Sequence, residues 1–145
     1  MASRINHLAV FVAALAFFIF GAVWYMSPLG AIWMAQLGKT ASGMSGMTSQ
    51  FVVSFLCDWL LAYVIAIALA DSSNPRPARH GVEFGVFMGL GVYGTMSLMN
   101  NVYEGRSFTL WLINAGYVVI GMAIMGAIIG AWRKREVPGA TSEAA

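Results

Sequence analysis

The sequence predicts an all-α integral membrane protein: a four-helix bundle with a short interfacial helix between helices 1 and 2. Two observations predict this class. Hydrophobic residues make up 59% of the 145 residues and charged residues only 10%, which leaves too few polar groups to cover a soluble globule. Four apolar runs are each close to the roughly 20 residues that cross a hydrocarbon core about 30 Å thick.

These runs define the predicted spanning helices. Backbone amides in lipid need partners within the protein, and helices supply them in runs of this length. The four predicted spans are Ile5–Tyr25, Phe51–Ala70, Phe84–Asn100 and Leu110–Trp132. We expect a single transmembrane domain over residues 1–135, followed by a disordered polar tail over residues 136–145.

The first run has the beginning of a signal peptide, with a basic residue ahead of a long apolar stretch. It continues, however, into Trp24 and Tyr25, and no small-residue cleavage site precedes them. Tryptophan and tyrosine are typical of the membrane interface. We therefore expect this helix to be retained in the mature protein.

The segments between the runs carry start and stop signals. Ser27 and Pro28 are typical of an N-cap followed by the first residue of a helix. The helix they begin, Pro28–Leu37, is too short to span and is closed by Gly38, so we expect it to lie in the interface. Between the second and third runs, Asp71–His80 is rich in Ser, Asn and Pro and is predicted to be a loop.

The distribution of basic residues predicts the orientation. Six of the eight lysines and arginines fall on one side of the membrane, namely Arg4, Arg76, Arg79, Arg133, Lys134 and Arg135. Lys39 and Arg106 fall on the other side. Cytoplasmic loops carry an excess of these residues, so we expect both termini in the cytoplasm. The inverted topology is the alternative.

One carboxylate, Asp58, lies near the middle of a predicted span, where a charge costs about 2.5–3.5 kcal/mol on insertion scales. Gln50, Ser54 and Asp58 recur at helical spacing and form one polar stripe. If the stripe faces inward, its partners on helices 3 and 4 would be Tyr93, Ser97, Asn114 and Tyr117. Two interpretations remain open: a protonatable site in a transport path or ligand pocket, or a neutral, hydrogen-bonded Asp that fixes helix register.

A compact polar turn joins helices 3 and 4. Asn101, Glu104 and Arg106 are its polar residues. One hypothesis is that they bind a partner or a lipid headgroup. The other is that Glu104 and Arg106 form a local ion pair while Asn101 caps the turn, which is common in exposed connections.

Glycines recur at four-residue spacing in the third and fourth runs. Gly81, Gly85 and Gly89 share one helix face, and Gly126 and Gly130 share another. Because lipid removes the apolar attraction between helices, close backbone approach at small residues becomes a main source of association. We expect these glycines to mark packing surfaces, either within one bundle or between two copies.

No motif in the sequence makes a case for catalysis, so we expect a protein that is not an enzyme and has no cofactor. Met34, Met44 and Met47 are soft ligands of the kind that bind Cu(I), but flexible apolar filling is the simpler interpretation. His7 and His80 lack zinc-site spacing, so no metal site is predicted. The basic run at residues 133–135 fits contact with anionic lipid rather than a nucleic-acid role.

Several segments, in this order, carry a resemblance to a known family. They are Asn6–Val10, Gly21–Tyr25 with Ser27 and Pro28, Trp33, Asn101–Arg106, Ile113–Tyr117 and Met125–Trp132. With these segments, which cover nearly the whole chain, the sequence resembles small bacterial four-helix membrane proteins of the domain of unknown function 1761 family. One departure is Met26, since relatives tend to run from Trp-Tyr straight into Ser-Pro.

The resemblance implies an integral membrane protein of a bacterial inner membrane and no established activity. It adds weight to Asn101, Glu104, Asn114 and Tyr117 as family-like polar positions, and none to Asp58. We expect a non-enzymatic packing, accessory or scaffold subunit that contacts the lipid bilayer, as a homo-oligomer or within a larger membrane complex. The alternatives are a small transporter or channel that uses Asp58, or a bundle that binds lipid or quinone.

Overall fold

The computed structural model of the chain describes residues 5–39 and 48–132. In chain order its elements are α1 (His7–Met26), α2 (Pro28–Gln36), α3 (Thr48–Leu69), α4 (Pro77–Phe87), a π-helical segment (Met88–Gly94), α5 (Thr95–Tyr103) and α6 (Phe108–Ala131). The described residues contain no β-strand. Four helices are long and apolar enough to cross a membrane, which confirms the predicted fold class.

The third of these helices, called the third span below, runs continuously from Pro77 through the π segment to Tyr103. It begins seven residues before the predicted run Phe84–Asn100, so the prediction of a loop as far as His80 was wrong. Proline is tolerated at the first helical position because its missing N–H has no helical partner there. Charged side chains in these first turns interrupt the apolar run without interrupting the helix.

Local capping explains how α1 and α2 begin. The Asn6 side chain accepts hydrogen bonds from the backbone N–H groups of Leu8 and Ala9, at 3.2 and 3.3 Å. The Ser27 hydroxyl accepts from the Leu29 N–H at 3.2 Å, with Pro28 as the first residue of α2. The predicted cap and short helix are therefore present, and Gly38 follows α2 with a φ of +63°, a conformation that favours glycine.

The π segment interrupts the regular α-helical hydrogen bonding of the third span. Side chains donate hydrogen bonds to backbone carbonyl groups in this segment. Thr95 donates its hydroxyl proton to the Gly91 carbonyl at 2.6 Å. Trp111 of α6 donates its indole N–H to the Gly94 carbonyl at 3.0 Å and also contacts the Ser97 hydroxyl oxygen at 3.2 Å. A neighbouring helix thereby satisfies backbone groups that lipid cannot.

Helix α6 lies at the centre of the bundle and contacts α1, α3 and the third span. Its most extensive contact is with α4, while α3 packs on α1 and α6. The largest fully buried side chains are Val10, Ile65, Leu69, Leu110 and Met125. The third span and α3 thus lie on different sides of α6, with at most marginal contact between them.

Glycines allow α4 and α6 to touch backbone to backbone. A Cβ atom added at Gly81 would lie 1.9 Å from the Gly126 carbonyl oxygen, and one at Gly126 would lie 1.9 Å from that of Gly81. At Gly85 it would lie 2.1 Å from the Met122 oxygen, and at Gly130, 2.2 Å from the Pro77 oxygen. These glycines, with Gly89 against Val119, form the glycine seam, which packs within one chain.

The two ends of the bundle are closed by long-range hydrogen bonds. At the terminal end, the Asn6 amide donates to the Trp132 carbonyl at 2.9 Å, and His7 Nδ1 lies 2.9 Å from the Tyr63 hydroxyl. At the opposite end, called the α2 end below, the Ser107 hydroxyl donates to the Gln36 side chain. The predicted tail at residues 136–145 and the loop at residues 40–47 lie outside the described residues.

Replacing Gly126 with Ala should destabilise the bundle, because the new methyl group would meet the Gly81 carbonyl and force α4 and α6 apart. Overpacking of this kind typically costs about 1–3 kcal/mol. Thermal unfolding in detergent, followed by circular dichroism, should show a clearly lowered Tm.

Gly91→Ala in the third span is the matched control, since its methyl group would meet only the far side of the Phe87 ring, at 3.9 Å. Its Tm should equal or exceed that of the native protein. Equal Tm values for Gly126→Ala and Gly91→Ala would contradict backbone contact at the seam.

Candidate functional site

One amide oxygen, Asn114 Oδ1, joins three helices at the α2 end. It accepts a hydrogen bond from the Tyr25 hydroxyl at 3.1 Å and another from the Trp33 indole N–H at 3.0 Å. Tyr25 lies in the last turn of α1, Trp33 in α2 and Asn114 in α6. We call these three residues the Asn114 node. They fix the short helix against the spanning helices.

A tight reversal after α1 brings Trp33 to the node. The Gly30 N–H donates to the Ser27 carbonyl at 2.9 Å, and a Cβ at Gly30 would lie only 1.8 Å from the Tyr25 carbonyl oxygen. Only glycine permits so close an approach of α2 to the end of α1. The Tyr25 and Trp33 rings consequently meet edge to face, with centroids 5.2 Å apart.

Tyr117 continues the node into the bundle, one helical turn along α6. Its ring stacks on Phe17 at a centroid distance of 4.9 Å and contacts Tyr25 at 5.3 Å. Room for the ring comes from Gly21 of α1, where a Cβ would lie 2.9 Å from the Tyr117 hydroxyl oxygen. The aromatic contacts therefore hold the phenol between α1 and α6.

Beside the node lies a buried donor, the Trp24 indole N–H, that has no hydrogen-bond partner among the described residues. Its ring contacts Phe20 at 5.5 Å and faces Gly116 of α6. An unmet buried donor costs roughly 1–3 kcal/mol. Buried donors are usually hydrogen-bonded, so this indole is an exception among the described residues.

The half of α3 nearer the terminal end is the more deeply buried, whereas the first half contacts α1 through rings such as Phe55 against Phe18, at a centroid distance of 5.7 Å. The buried residues of α3 are Ala62, Ile65, Ala66 and Leu69, whereas no residue from Thr48 to Leu61 is fully buried. The third span, which could have covered the remainder, packs on α6 instead. Because the third span makes at most marginal contact with α3, the surface between them is left uncovered, and we refer to this surface as a groove.

The polar stripe predicted on the second helix faces this groove. Ser54 and Asp58 lie at helical spacing from Ile65 and Leu69, so they continue the inward face of α3 toward the α2 end. Asp58 is half-buried and Ser54 is exposed. Gln50 is also exposed and accepts from the Ser49 hydroxyl at 3.1 Å. Asp58 makes no side-chain hydrogen bond to any described residue.

Tyr117 is the tyrosine that interacts electrostatically with the Asp58 carboxylate. Tyr93 is 37% exposed and comes from the π segment. We define the lateral groove by Ser54, Asp58, Tyr93 and Tyr117: one carboxylate, one hydroxyl and two phenols on an otherwise apolar surface.

Two residues predicted with this group have other contacts. Ser97 bonds to the Gly94 carbonyl at 3.2 Å and accepts from Trp111, which directs it toward α6. Asn114 accepts hydrogen bonds from Tyr25 and Trp33 in the Asn114 node. The structure therefore divides the predicted polar set into the Asn114 node, a Ser97 contact and the lateral groove.

The turn between the third span and α6 is internally bonded. Asn101 is buried and donates to the carbonyls of Arg106 and Ser107, at 3.1 and 3.0 Å. Glu104 Oε2 and Arg106 Nε lie 2.5 Å apart, with both side chains about half exposed. Of the two hypotheses drawn from the sequence, this arrangement corresponds to the local ion pair with Asn101 closing the turn. Gly105, at a φ of +65°, lies between Glu104 and Arg106 and reverses the chain there.

No group of three or more His, Cys, Asp and Glu side chains capable of holding a metal occurs within residues 5–39 and 48–132. His7 faces Tyr63 at one side of the terminal end. Met44 and Met47 lie outside the described residues.

A comparison with protein families bears on the chain as a whole. A family model described as protein of unknown function (DUF1761) matches residues 8–130. The chain belongs to this family. The resemblance drawn from the sequence is thereby confirmed, and the match takes in the Asn114 node, the lateral groove and the whole glycine seam of this DUF1761 protein. No curated protein and no solved structure matches it.

Sequence reasoning missed the contacts that build the site. Trp33 entered only through the family resemblance, Tyr25 was interpreted as an interfacial aromatic residue, and Trp111 was not selected. A signal was available at helical spacing, since Phe17, Gly21 and Tyr25 share one face of α1. A small residue between two aromatic residues on one face indicates where a ring from another helix fits.

Replacing Asn114 with Leu should leave the Tyr25 hydroxyl and the Trp33 indole without their acceptor. The expected loss is about 1–3 kcal/mol. Trp33 should become more accessible, because α2 is fixed by this bond. Thermal unfolding and tryptophan quenching in detergent would measure both effects.

Asn100→Leu is the matched control: Asn100 is exposed on α5, so the same exchange should change neither quantity. An Asn114→Leu protein with native Tm and native quenching would contradict the node as the fixing point of α2.

Proposed function

We propose that this DUF1761 protein is a non-enzymatic membrane subunit that assembles laterally with a second copy of itself through the lateral groove. The observation that carries the proposal is the uncovered polar stripe on α3. Ser54 and Asp58 continue the inward face of a spanning helix, yet Gln50 and Ser54 are exposed and Asp58 is only half-buried by the described chain. Assembly supplies the missing contact.

Physical chemistry supports this assignment. Polar side chains at membrane depth associate helices by hydrogen bonding, and small residues such as Ser54 let backbones approach. The glycine seam is already used between α4 and α6. The α3 stripe is thus the polar helix surface that stays available to a partner within the described spans.

A second copy suits this surface because the stripe is self-complementary. Glutamine and serine each carry a donor and an acceptor, as does a protonated aspartic acid. A two-fold axis brings the same patch of both subunits together. Two α3 helices crossing at Ser54 would therefore pair like with like and would fill both grooves.

The polar side chains inside the bundle support a non-enzymatic role. Asn114, Ser97 and Asn101 each hydrogen-bond to another helix or close a turn. Their donors and acceptors serve packing. A subunit whose interior polar groups are occupied in this way fits an accessory or scaffold role.

The proposed setting is a bacterial inner membrane with both termini in the cytoplasm. The described basic residues support the orientation: Arg76 and Arg79 lie at the terminal end, whereas Lys39 and Arg106 lie at the α2 end. The basic run at residues 133–135 directly follows α6, whose end is at the terminal end. Cytoplasmic loops carry the larger share of such residues.

Because the chain has a single cysteine, Cys57, cross-linking at its thiol can test the assembly without a cysteine being introduced. Cys57 is exposed on α3, beside the stripe. In native membranes a short bismaleimide should link two copies through Cys57 and give a covalent dimer on a denaturing gel. Ser54→Phe should lower the dimer yield at least several-fold, because the added ring occupies the crossing point.

Val52→Phe is the matched control, since position 52 is equally exposed but lies about 160° around α3 from Ser54. It should leave the dimer yield unchanged. A native protein that purifies as a lone monomer, with no linked dimer, would contradict the proposal. A stoichiometric complex with another protein would assign the groove to that protein.

A second candidate function is the binding of an amphipathic ligand that carries a carbonyl acceptor, such as a quinone or a lipid, in the lateral groove. The unpartnered Trp24 donor and the interaction of Asp58 with the Tyr117 phenol favour it. A small transporter or channel would use the same carboxylate as a protonatable site.

Asp58→Asn separates these functions from pure assembly. If the groove holds a ligand or a moving proton, the variant should fold normally but lose the co-purified molecule or pH-dependent flux in liposomes. Glu104→Gln, at an exposed carboxylate outside the groove, should retain both. Native ligand content and native flux in Asp58→Asn would rule out this second candidate.

A further inference from the structure

A basic cleft lies at the terminal end of the third span, away from the lateral groove. Its volume is about 180 Å³, and its lining residues are Asn74, Arg76, Arg79, His80 and Glu83. It forms where the loop after α3 enters the first turns of α4. We infer that this cleft binds the phosphate of an anionic phospholipid headgroup.

Local hydrogen bonds shape the loop side of the cleft. The Ser72 hydroxyl accepts from the Asn74 N–H at 3.4 Å, and Asn74 Oδ1 accepts from the Arg76 N–H at 2.9 Å. Each is a side chain closing a turn two residues on. The Asn74 oxygen is used in this turn, and its amide N–H groups are donors beside the cleft.

The helix side of the cleft also suits an anion. Arg76 occupies the N-cap of α4 and makes no side-chain cap, and Pro77 follows it. The first-turn N–H groups therefore lack the usual side-chain acceptor. The positive end of the helix dipole adds to their attraction for negative charge.

Side-chain charges give the cleft a positive balance. Glu83 is the one carboxylate that lines it, against two arginines. Arg79 Nε donates to Glu83 Oε1 at 2.8 Å. This bond uses one of the five guanidinium N–H groups and orients the others, while Arg76 adds a second fork that matches phosphate oxygens.

An apolar surface for an acyl chain begins below the cleft. Val86 and Phe87 lie seven and eight residues after Arg79, so they share its helix face about 11 Å further into the bilayer. They are 37% and 67% exposed. The glycine seam occupies the opposite side of α4. A charged cleft at the end of a span, above an apolar track, has the arrangement of a phospholipid site.

The test uses the full-length protein purified in a zwitterionic detergent and titrated with phosphatidylglycerol, with phosphatidylcholine and with inorganic phosphate. Phosphatidylglycerol should raise Tm in a saturable way, and phosphatidylcholine should not. Arg76→Gln and Arg79→Gln should each weaken this binding about tenfold, the effect of losing one charge-assisted contact. Phe87→Ser should weaken the lipid effect only.

Two controls address other basic residues. Arg106→Gln, at the α2 end, should retain native lipid binding. A triple variant, with Arg133, Lys134 and Arg135 changed to Gln, should retain it as well. All variants are first required to show native circular dichroism and a single elution peak, and Arg76→Lys, which keeps the charge, should recover part of the binding.

Three results would overturn the inference. One is native phosphatidylglycerol binding in both Arg76→Gln and Arg79→Gln. Another is loss of binding in the triple tail variant alone. The third is stabilisation by inorganic phosphate as strong as that by lipid, which would make the cleft a site for free phosphate.

Discussion

Backbone contact between α4 and α6 determines where everything else in the bundle can lie. At Gly81 and Gly126 even a methyl group would lie 1.9 Å from a carbonyl oxygen of the other helix. Lipid gives apolar helix faces no reason to associate, so such close approach is the available source of attraction. The third span is held on one side of α6, while α1 and α3 share the other. The lateral groove is a direct consequence, because α6 alone cannot cover both neighbours.

The Asn114 node and the lateral groove are two polar regions of the described residues, and they differ in how far those residues satisfy them. At the node, one acceptor oxygen serves two donors, and three helices are joined. In the groove, Asp58 has no hydrogen bond to a described residue, and Ser54 is exposed. The hydrogen bonds of the node are therefore made within the described chain, whereas those of the groove are not, which is why the functional proposals concern the groove.

The sequence predicts features that depend on near neighbours in the chain. Ser27 and Pro28 indicate the start of α2, and four charge-poor runs indicate the spans. The sequence pattern places the start of the third span too late, because Arg79, His80 and Glu83 interrupt the apolar run although the helix already begins at Pro77. Features that depend on distant residues were not predictable: spacing alone shows neither that Gly81 meets Gly126 nor that Asn114 accepts from Trp33. Likewise, helical spacing placed Asp58 on an inward stripe but could not reveal that the third span leaves that stripe uncovered.

The π segment has a geometric consequence for the whole third span. Gly81, Gly85 and Gly89 meet α6, and so does Ser97 further along, all at multiples of four residues. In an unbroken α-helix each step of four residues rotates the side chain by about 40° around the axis, so Ser97 would point roughly 160° away from Gly81. The π-helical turns of Met88–Gly94 contain more residues per turn, so each residue there rotates by less and part of this difference is removed. The π segment thus keeps residues spaced by four on the side of the third span that faces α6.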